Sequence, residues 1–242
     1  MKNILKHVTM GMLAGSFALT ANATMVVFDD ASLDTEIIVP SIVYTDFTVS
    51  AGYSSSNLCC GTSFLRSNIK TTKPGSNAPV NVHRDTSPAH GGLGVDSDLG
   101  GDTDNFEGSL NNNPNTDEIL FFDFTGLFNL IEVTLNAGKG SGHQDLFSDD
   151  ATDVFDIFVS IDMENYLSVF GANTAPTLGE LLTLPGGGVT SQYFAVSHVG
   201  PGNSDGGYIE KIEYASVPEP GTLALFGLGL AGLGLARRRK QA

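Results

Sequence analysis

Tryptophan is absent from this 242-residue chain, and its only two cysteines are neighbours, Cys59-Cys60. Adjacent cysteines cannot staple distant segments, so the fold has to rest on a packed core and not on a disulfide framework. Adjacency leaves three states for Cys59 and Cys60: a vicinal bridge closing a small strained ring, pairing between chains, or one buried and one exposed thiol. In an oxidising compartment a bridge is favoured over two free thiols. No Cys/His spacing matches a zinc site. Without tryptophan, the usual aromatic platform for a sugar is missing, although Tyr44, Tyr53, Tyr166, Tyr193, Tyr208 and Tyr214 are available to stack.

Basic residues are scarce. The chain has 12 Lys and Arg against 27 Asp and Glu, and six of the twelve (Lys2, Lys6, Arg237, Arg238, Arg239 and Lys240) lie at its two ends. Between residues 24 and 217 the balance is 26 acidic to six basic, a net charge of about −20. Such a surface repels polyanions, which excludes nucleic acid as a partner held by phosphate neutralisation. Divalent cations, cationic polymers and neutral sugars are compatible with it, and the acidity also serves plain solubility.

Catalytic signatures are missing too. His83, His90, His143 and His198 stand in no G-x-S-x-G or H-E-x-x-H context, and no pair among the many carboxylates is singled out by spacing. The chain reads as a non-enzyme. Helical periodicity is equally scarce, since outside the two ends only Leu178–Leu182 suggests a single turn.

What the middle of the chain does contain is two-residue alternation. Glu118–Phe124 puts Leu120, Phe122 and Phe124 on one face, and Asp153–Ile161 puts Phe155, Ile157, Val159 and Ile161 opposite Asp156 and Ser160. Met25–Phe28, Glu36–Ser50, Ser63–Ile69, Leu130–Asn136, Tyr166–Phe170, Ser191–Val199 and Gly207–Tyr214 are further strands, separated by Gly-, Asn-, Asp- and Pro-rich turns. About nine short strands predict an all-β, antiparallel β-sandwich of jelly-roll type.

The two ends read as addresses. Lys2 and Lys6 precede an apolar run from Val8 to Leu19 and the small-residue site Ala21-Asn22-Ala23. This is a secretory signal peptide over residues 1–23, cut by signal peptidase after Ala23. At the other end, Pro218-Glu219-Pro220 is followed by an apolar span, Gly221–Ala236, and by Arg237-Arg238-Arg239-Lys240. At about 1.5 Å per residue that span reaches only about 24 Å, short of the ~30 Å hydrocarbon core, which favours a transient sorting helix over a permanent anchor. The basic cluster fixes orientation, because several arginines do not cross a bilayer cheaply. The domain plan is therefore a signal peptide at 1–23, a β-sandwich ectodomain at 24–216, and a sorting segment at 217–242.

The order of Pro218-Glu219-Pro220, apolar span and arginines resembles the PEP-CTERM sorting signal, by which Gram-negative bacteria hand secreted proteins to an exosortase. The resemblance implies an exosortase-type processing enzyme as partner, transient residence in the inner membrane, and a final place on the cell surface or in the extracellular matrix. The body also looks like PEP-CTERM surface proteins that carry a Gly92-Leu93-Gly94-Val95 element, an acidic loop with Asp104-Asn105-Phe106-Glu107, and a strand such as Asp117–Phe124. That likeness implies a surface protein and assigns no ligand.

The sharpest candidate site is that acidic loop. Asp96, Asp98, Asp102, Asp104 and Glu107 fall at positions 1, 3, 7, 9 and 12 of a calcium-loop window, with Gly101 at position 6. Gly100 and Thr103 depart from the pattern and no helix flanks it, so the expectation is an inter-strand calcium loop and not an EF-hand. Asp145, Asp149, Asp150 and Asp153 form a second acidic group. The expected function is a structural or adhesive role in a polysaccharide-rich biofilm or floc, with exopolysaccharide as partner. The alternatives are a calcium-dependent, lectin-like carbohydrate-binding module and an uncharacterised hydrolase.

Overall fold

Among the described residues thirteen strands form, all of them paired antiparallel. The computed structural model describes residues 23–28, 36–56, 58, 63–85, 91–97, 117–136, 155–169, 181–198 and 208–217, together with Gly229. The chain divides into Asn22–Val217 and a second unit made of its two ends, and all thirteen strands belong to the first. Among the described residues, no helix is long and apolar enough to cross a membrane. Residues 1–22, Cys59, Cys60, 98–116, 137–154 and 218–228 lie outside them.

The strands in chain order are β1 (Ala23–Val27), β2 (Ile37–Val39), β3 (Ser41–Val43), β4 (Phe47–Ser54), β5 (Ser63–Leu65), β6 (Asn81–Asp85) and β7 (Gly92–Asp96). They continue with β8 (Asp117–Asn136), β9 (Phe155–Ser160), β10 (Asn165–Ser168), β11 (Leu181–Thr183), β12 (Val189–His198) and β13 (Tyr208–Ser216). Strand β8 runs through both layers. Its first part pairs with β4 on one side and with Tyr193–Ser197 of β12 on the other, and its second part pairs with β13 and with Val189–Ser191 of β12. One layer is thus ordered β3-β4-β8-β12-β9-β10-β5, and the other β2-β6-β7-β13-β8, with β1 beside β13 and β11 beside β8.

The turnover between layers falls at Thr125–Leu127. Its main chain is not left unpaired: Thr125 N–H donates to Asp46 O at 2.8 Å, and Leu127 O accepts from Val217 N–H at 3.1 Å. Strand β12 follows the bend with a register shift between Ser191 and Tyr193, where Gln192 Nε2 donates to Phe124 O at 3.1 Å. The layers then meet face to face. Phe47 of β4 packs edge-on to Tyr214 of β13 at 5.8 Å, and Phe28 lies 6.4 Å from Phe122, although neither pair shares a ladder. The expected antiparallel sandwich is the fold observed.

Alternation in the Phe-rich part of β8 serves two cores. Leu120, Phe122 and Phe124 enter the core between the layers, with Val49, Val82, Leu93, Ile157, Phe194 and Ile212. Ile119 and Phe121 point the other way, into a second buried cluster with Leu58, Phe64, Ile69, Phe158 and Tyr166. That outer face is covered by Leu58 and residues 63–70. Arg66 N–H bonds to Glu164 O, and Tyr53 and Lys70 exchange both main-chain bonds at 3.0 and 2.9 Å. Gly52 permits the closure, since a Cβ there would stand 2.6 Å from Ile69 Cγ2 and 3.0 Å from Lys70 O. In the Gly-Leu-Gly-Val element, Gly92 adopts φ +149, with Ile209 O only 2.6 Å from where a Cβ would be.

Several boundaries differ from the sequence reading. Glu36–Ser50 is not one strand but β2, β3 and the start of β4, broken at Pro40 and around Asp46. Ser63–Ile69 is a strand only to Leu65, followed by a 3-10 turn at Arg66–Asn68. Residues 181–183 extend as β11 along β8 where a helical turn was expected over 178–182. Truncating Phe121 tests the two-core description. Phe121→Ala should cost about 3–5 kcal/mol in urea denaturation, as much as Phe122→Ala does, because both create cavities; a loss under about 1 kcal/mol for Phe121→Ala would show the outer face to be no core.

Candidate functional site

The covering segment leaves a cleft of about 330 Å³ between itself, the end of β4 and strand β10. Its buried apolar lining is Leu58, Phe64 and Ile69, and its apolar rim is Leu65 and Leu167, 40% and 59% exposed. The polar groups are Ser54, Ser56, Ser63, Asn68 and Asn165. Among the described residues that line it, none is ionisable. The cleft offers hydroxyls, amides and apolar surface, which can hydrogen-bond and pack against a neutral polyol but provide no group to move a proton.

Its walls are fixed by interactions one layer back. Phe64 stacks on Tyr166, centroids 5.0 Å apart, and Tyr166 meets Phe121 edge-on at 5.4 Å. Arg66 grips Asp123 through both guanidinium nitrogens at 2.7 and 2.9 Å, lies 4.3 Å over the Phe121 ring, and donates to Tyr166 Oη and Ser50 Oγ. Burial opposes the Arg66 charge, but the Asp123 carboxylate outweighs it and raises the guanidinium pKa. Ser54 Oγ and Ser56 form a local hydroxyl turn, with Ser54 Oγ donating to Ser56 O at 2.6 Å. Asn165 is aimed by Asp162, whose carboxylate accepts both its main-chain and side-chain N–H groups at 2.8 and 2.6 Å.

Leu58 hangs from Asp117. Its N–H donates to Asp117 Oδ2, and that carboxyl is 1% exposed. Burial pushes the Asp117 pKa up to about 7, against the smaller opposite pull of the Leu58 bond. Near Asp117, Glu118 accepts from Ser97 Oγ just after β7, so two acidic side chains at the start of β8 serve as internal acceptors.

Of the sequence candidates, Asp96 is described and Asp98, Asp102, Asp104 and Glu107 are not. Asp96 is buried at the end of β7, with Lys73 Nζ 2.6 Å from Oδ1 and Asn81 Nδ2 3.0 Å from Oδ2. A calcium ion ligated by Asp96 has to draw that carboxylate away from Lys73. Among the described residues, no three His, Cys, Asp or Glu side chains come together as a metal site. Cys59, Cys60, Asp145, Asp149, Asp150, Asp153 and the tag residues Pro218, Glu219, Pro220, Arg237, Arg238 and Arg239 also fall outside the described set. Of the tyrosines considered as sugar platforms, Tyr166, Tyr208 and Tyr214 are core residues, each 2% exposed or less. Sequence reasoning missed the cleft because serines, asparagines and leucines from 54–69 and 165–167 form no motif.

The C-terminal sequence decides the protein's destination. The chain carries a PEP-CTERM protein-sorting motif at residues 216–240. It is therefore an exported protein, sorted to the cell envelope or surface by an exosortase-type enzyme. No curated protein matches the chain. Among solved structures it is similar to CpGH89CBM32-5 from Clostridium perfringens, in complex with GalNAc-β-1,3-galactose, at 12% identity and a TM-score of 0.28, over 42% of this chain and 66% of that one. A second similarity is to CBM32-3 from a family 31 glycoside hydrolase of Clostridium perfringens, at 14% identity and TM-score 0.29, over 41% and 67%. A third is to the C-terminal domain of a chitobiase from Bacteroides fragilis, at 16% identity and TM-score 0.26, over 41% and 62%. The matched part spans about two thirds of each of these chains or slightly less, and scores this low assign the protein neither a ligand nor a site.

The Asp117 environment has a pH signature. In the unfolded chain this carboxyl titrates near 3.9, so the fold holds the proton more tightly than the coil does, and ionisation costs stability. The stabilising contribution is complete below about pH 4, is lost as pH rises through about 7, and is absent above. Asp117→Asn keeps an acceptor for Leu58 without ionising. Unfolding free energies of the wild type from urea denaturation should fall relative to the variant between pH 4 and 8, by a few kcal/mol at about 1.4 kcal/mol per pKa unit; parallel pH profiles would contradict this.

Proposed function

We propose that this exported protein is a structural and adhesive component of the cell surface or extracellular matrix of a Gram-negative bacterium, and that it holds neutral exopolysaccharide in a biofilm or floc. The observation that carries the reading is the contrast between the cleft and the domain around it. The body from 24 to 217 has a net charge of about −20, whereas the described lining of the cleft has no charge. An acidic surface turns away anionic polymers over a Debye length of about 10 Å. A hydroxyl- and amide-lined cleft with an apolar floor suits the mixed faces of a neutral sugar ring. The sandwich supplies the rigidity an adhesive site needs, because side chains held by packing lose little further entropy on binding.

The test is equilibrium binding of the mature exported protein to neutral and to uronate-containing oligosaccharides. Binding should favour the neutral series, and Ser63→Asp, which places a charge on an exposed position of the lining, should weaken it about tenfold or more without shifting the melting temperature. Equal binding of Ser63→Asp and wild type, or preference for the anionic series, would remove the cleft from the account.

A further inference from the structure

The sorting motif and the folded domain share residues. The motif begins at Ser216, and Ser216 is the last residue of β13, opposite Phe128 of β8. Val217 continues the ladder by one bond, donating its N–H to Leu127 O at 3.1 Å, and is half-buried. One residue earlier, Ala215 is buried between two partners, Asn129 of β8 and Ala23 of β1. No spacer separates this ladder from Pro218-Glu219-Pro220. Main-chain chemistry then has two consequences. A peptide group already bonded to a neighbouring strand cannot at the same time pair with the groove of a processing enzyme, which reads extended chain through those same groups. Moreover, Pro218 has no N–H to offer, so the nearest main-chain donor upstream of the Pro-Glu-Pro element is Val217, whose N–H is bonded to Leu127 O, and the next is Ser216, in register with Phe128.

We propose that closure of the end of β13 and processing of the sorting tag compete for Ser216 and Val217, so that the exosortase-type enzyme acts on chains whose last strand end is open. Opening is local: Ser216 is exposed, and among the described residues one inter-strand bond holds Val217. The cost is that of fraying a strand end and not of unfolding the sandwich. The first residue of β1 adds a second control. Ala23, after which signal-peptide cleavage is expected, is the register partner of Ala215. Removing Ala23 takes one rung from the free flank of β13 and leaves Thr24 opposite Tyr214 as the first, which loosens the end that the second enzyme must reach. Export processing at one terminus thereby prepares processing at the other.

The experiment is pulse–chase of the full-length chain in a host that sorts it, following precursor and processed bands. Inserting Gly-Ser-Gly-Ser between Val217 and Pro218 supplies free donors upstream of the motif and should raise the processing rate about three- to tenfold. Val217→Pro, which deletes the N–H that bonds Leu127 O, should raise it as well, whereas Val217→Ala, which keeps that N–H, should raise it less. Melting temperatures of the three variants within about two degrees of wild type establish that only the strand end has changed. Processing of both the spacer and the Val217→Pro chains at the wild-type rate would overturn the proposal.

Discussion

One strand, bent once, carries this molecule. Residues 117–136 pair with four other strands while passing from one layer to the other, and its side chains feed both the inter-layer core and the cluster behind it. A strand buried on both faces has no polar side to alternate to, which is why Ile119, Leu120, Phe121 and Phe122 follow one another without a break. The bend succeeds because its carbonyls and amides find partners from Asp46, Gln192 and Val217, three separate segments.

The cleft inherits its shape from that strand. Asp117 holds Leu58, Asp123 holds Arg66, and Phe121 supports Tyr166 and through it Phe64. Side chains at every second position of β8, from 117 to 123, thus position the covering segment. The chemistry of the cleft is separated from the chemistry of its support. Charges sit behind, paired and partly buried, and the described lining in front is neutral. Under the proposed function, an acidic surface around a neutral cleft would select among polysaccharides by charge before any detailed contact is made.

Much of the fold was legible from alternation, and the misses have physical causes. Glu118–Phe124 and Leu130–Asn136 were visible as strands, but Thr125-Gly126-Leu127 reads as a turn, so nothing local shows that one strand continues through it. Asn81–Asp85 has a single aliphatic residue, Val82, and was passed over; in the fold His83 and Arg84 are buried as well, His83 against Glu36 at 2.8 Å. Leu181–Thr183 becomes a strand because β8 offers it an edge, a tertiary override of local propensity. The C-terminal tag was legible because its meaning lies in sequence order and not in folding. The cleft was not, since its residues converge only through the β5–β10 ladder and the Arg66 clamp, which join positions about a hundred apart in the chain.

Export and sorting place one demand on the structure: a domain that closes firmly outside the membrane while its last strand ends at the sorting tag. If β8 is the element on which both layers and the cleft depend, its two parts cannot open separately. Native-state amide hydrogen exchange measures this directly. The amides of 119–124 and of 129–135 are predicted to exchange with one common free energy, equal to that of global unfolding, and the Leu58 and Arg66 amides to open at lower cost. Exchange of either part of β8 through a cheaper, separate opening would show the two layers to be independent and contradict the account.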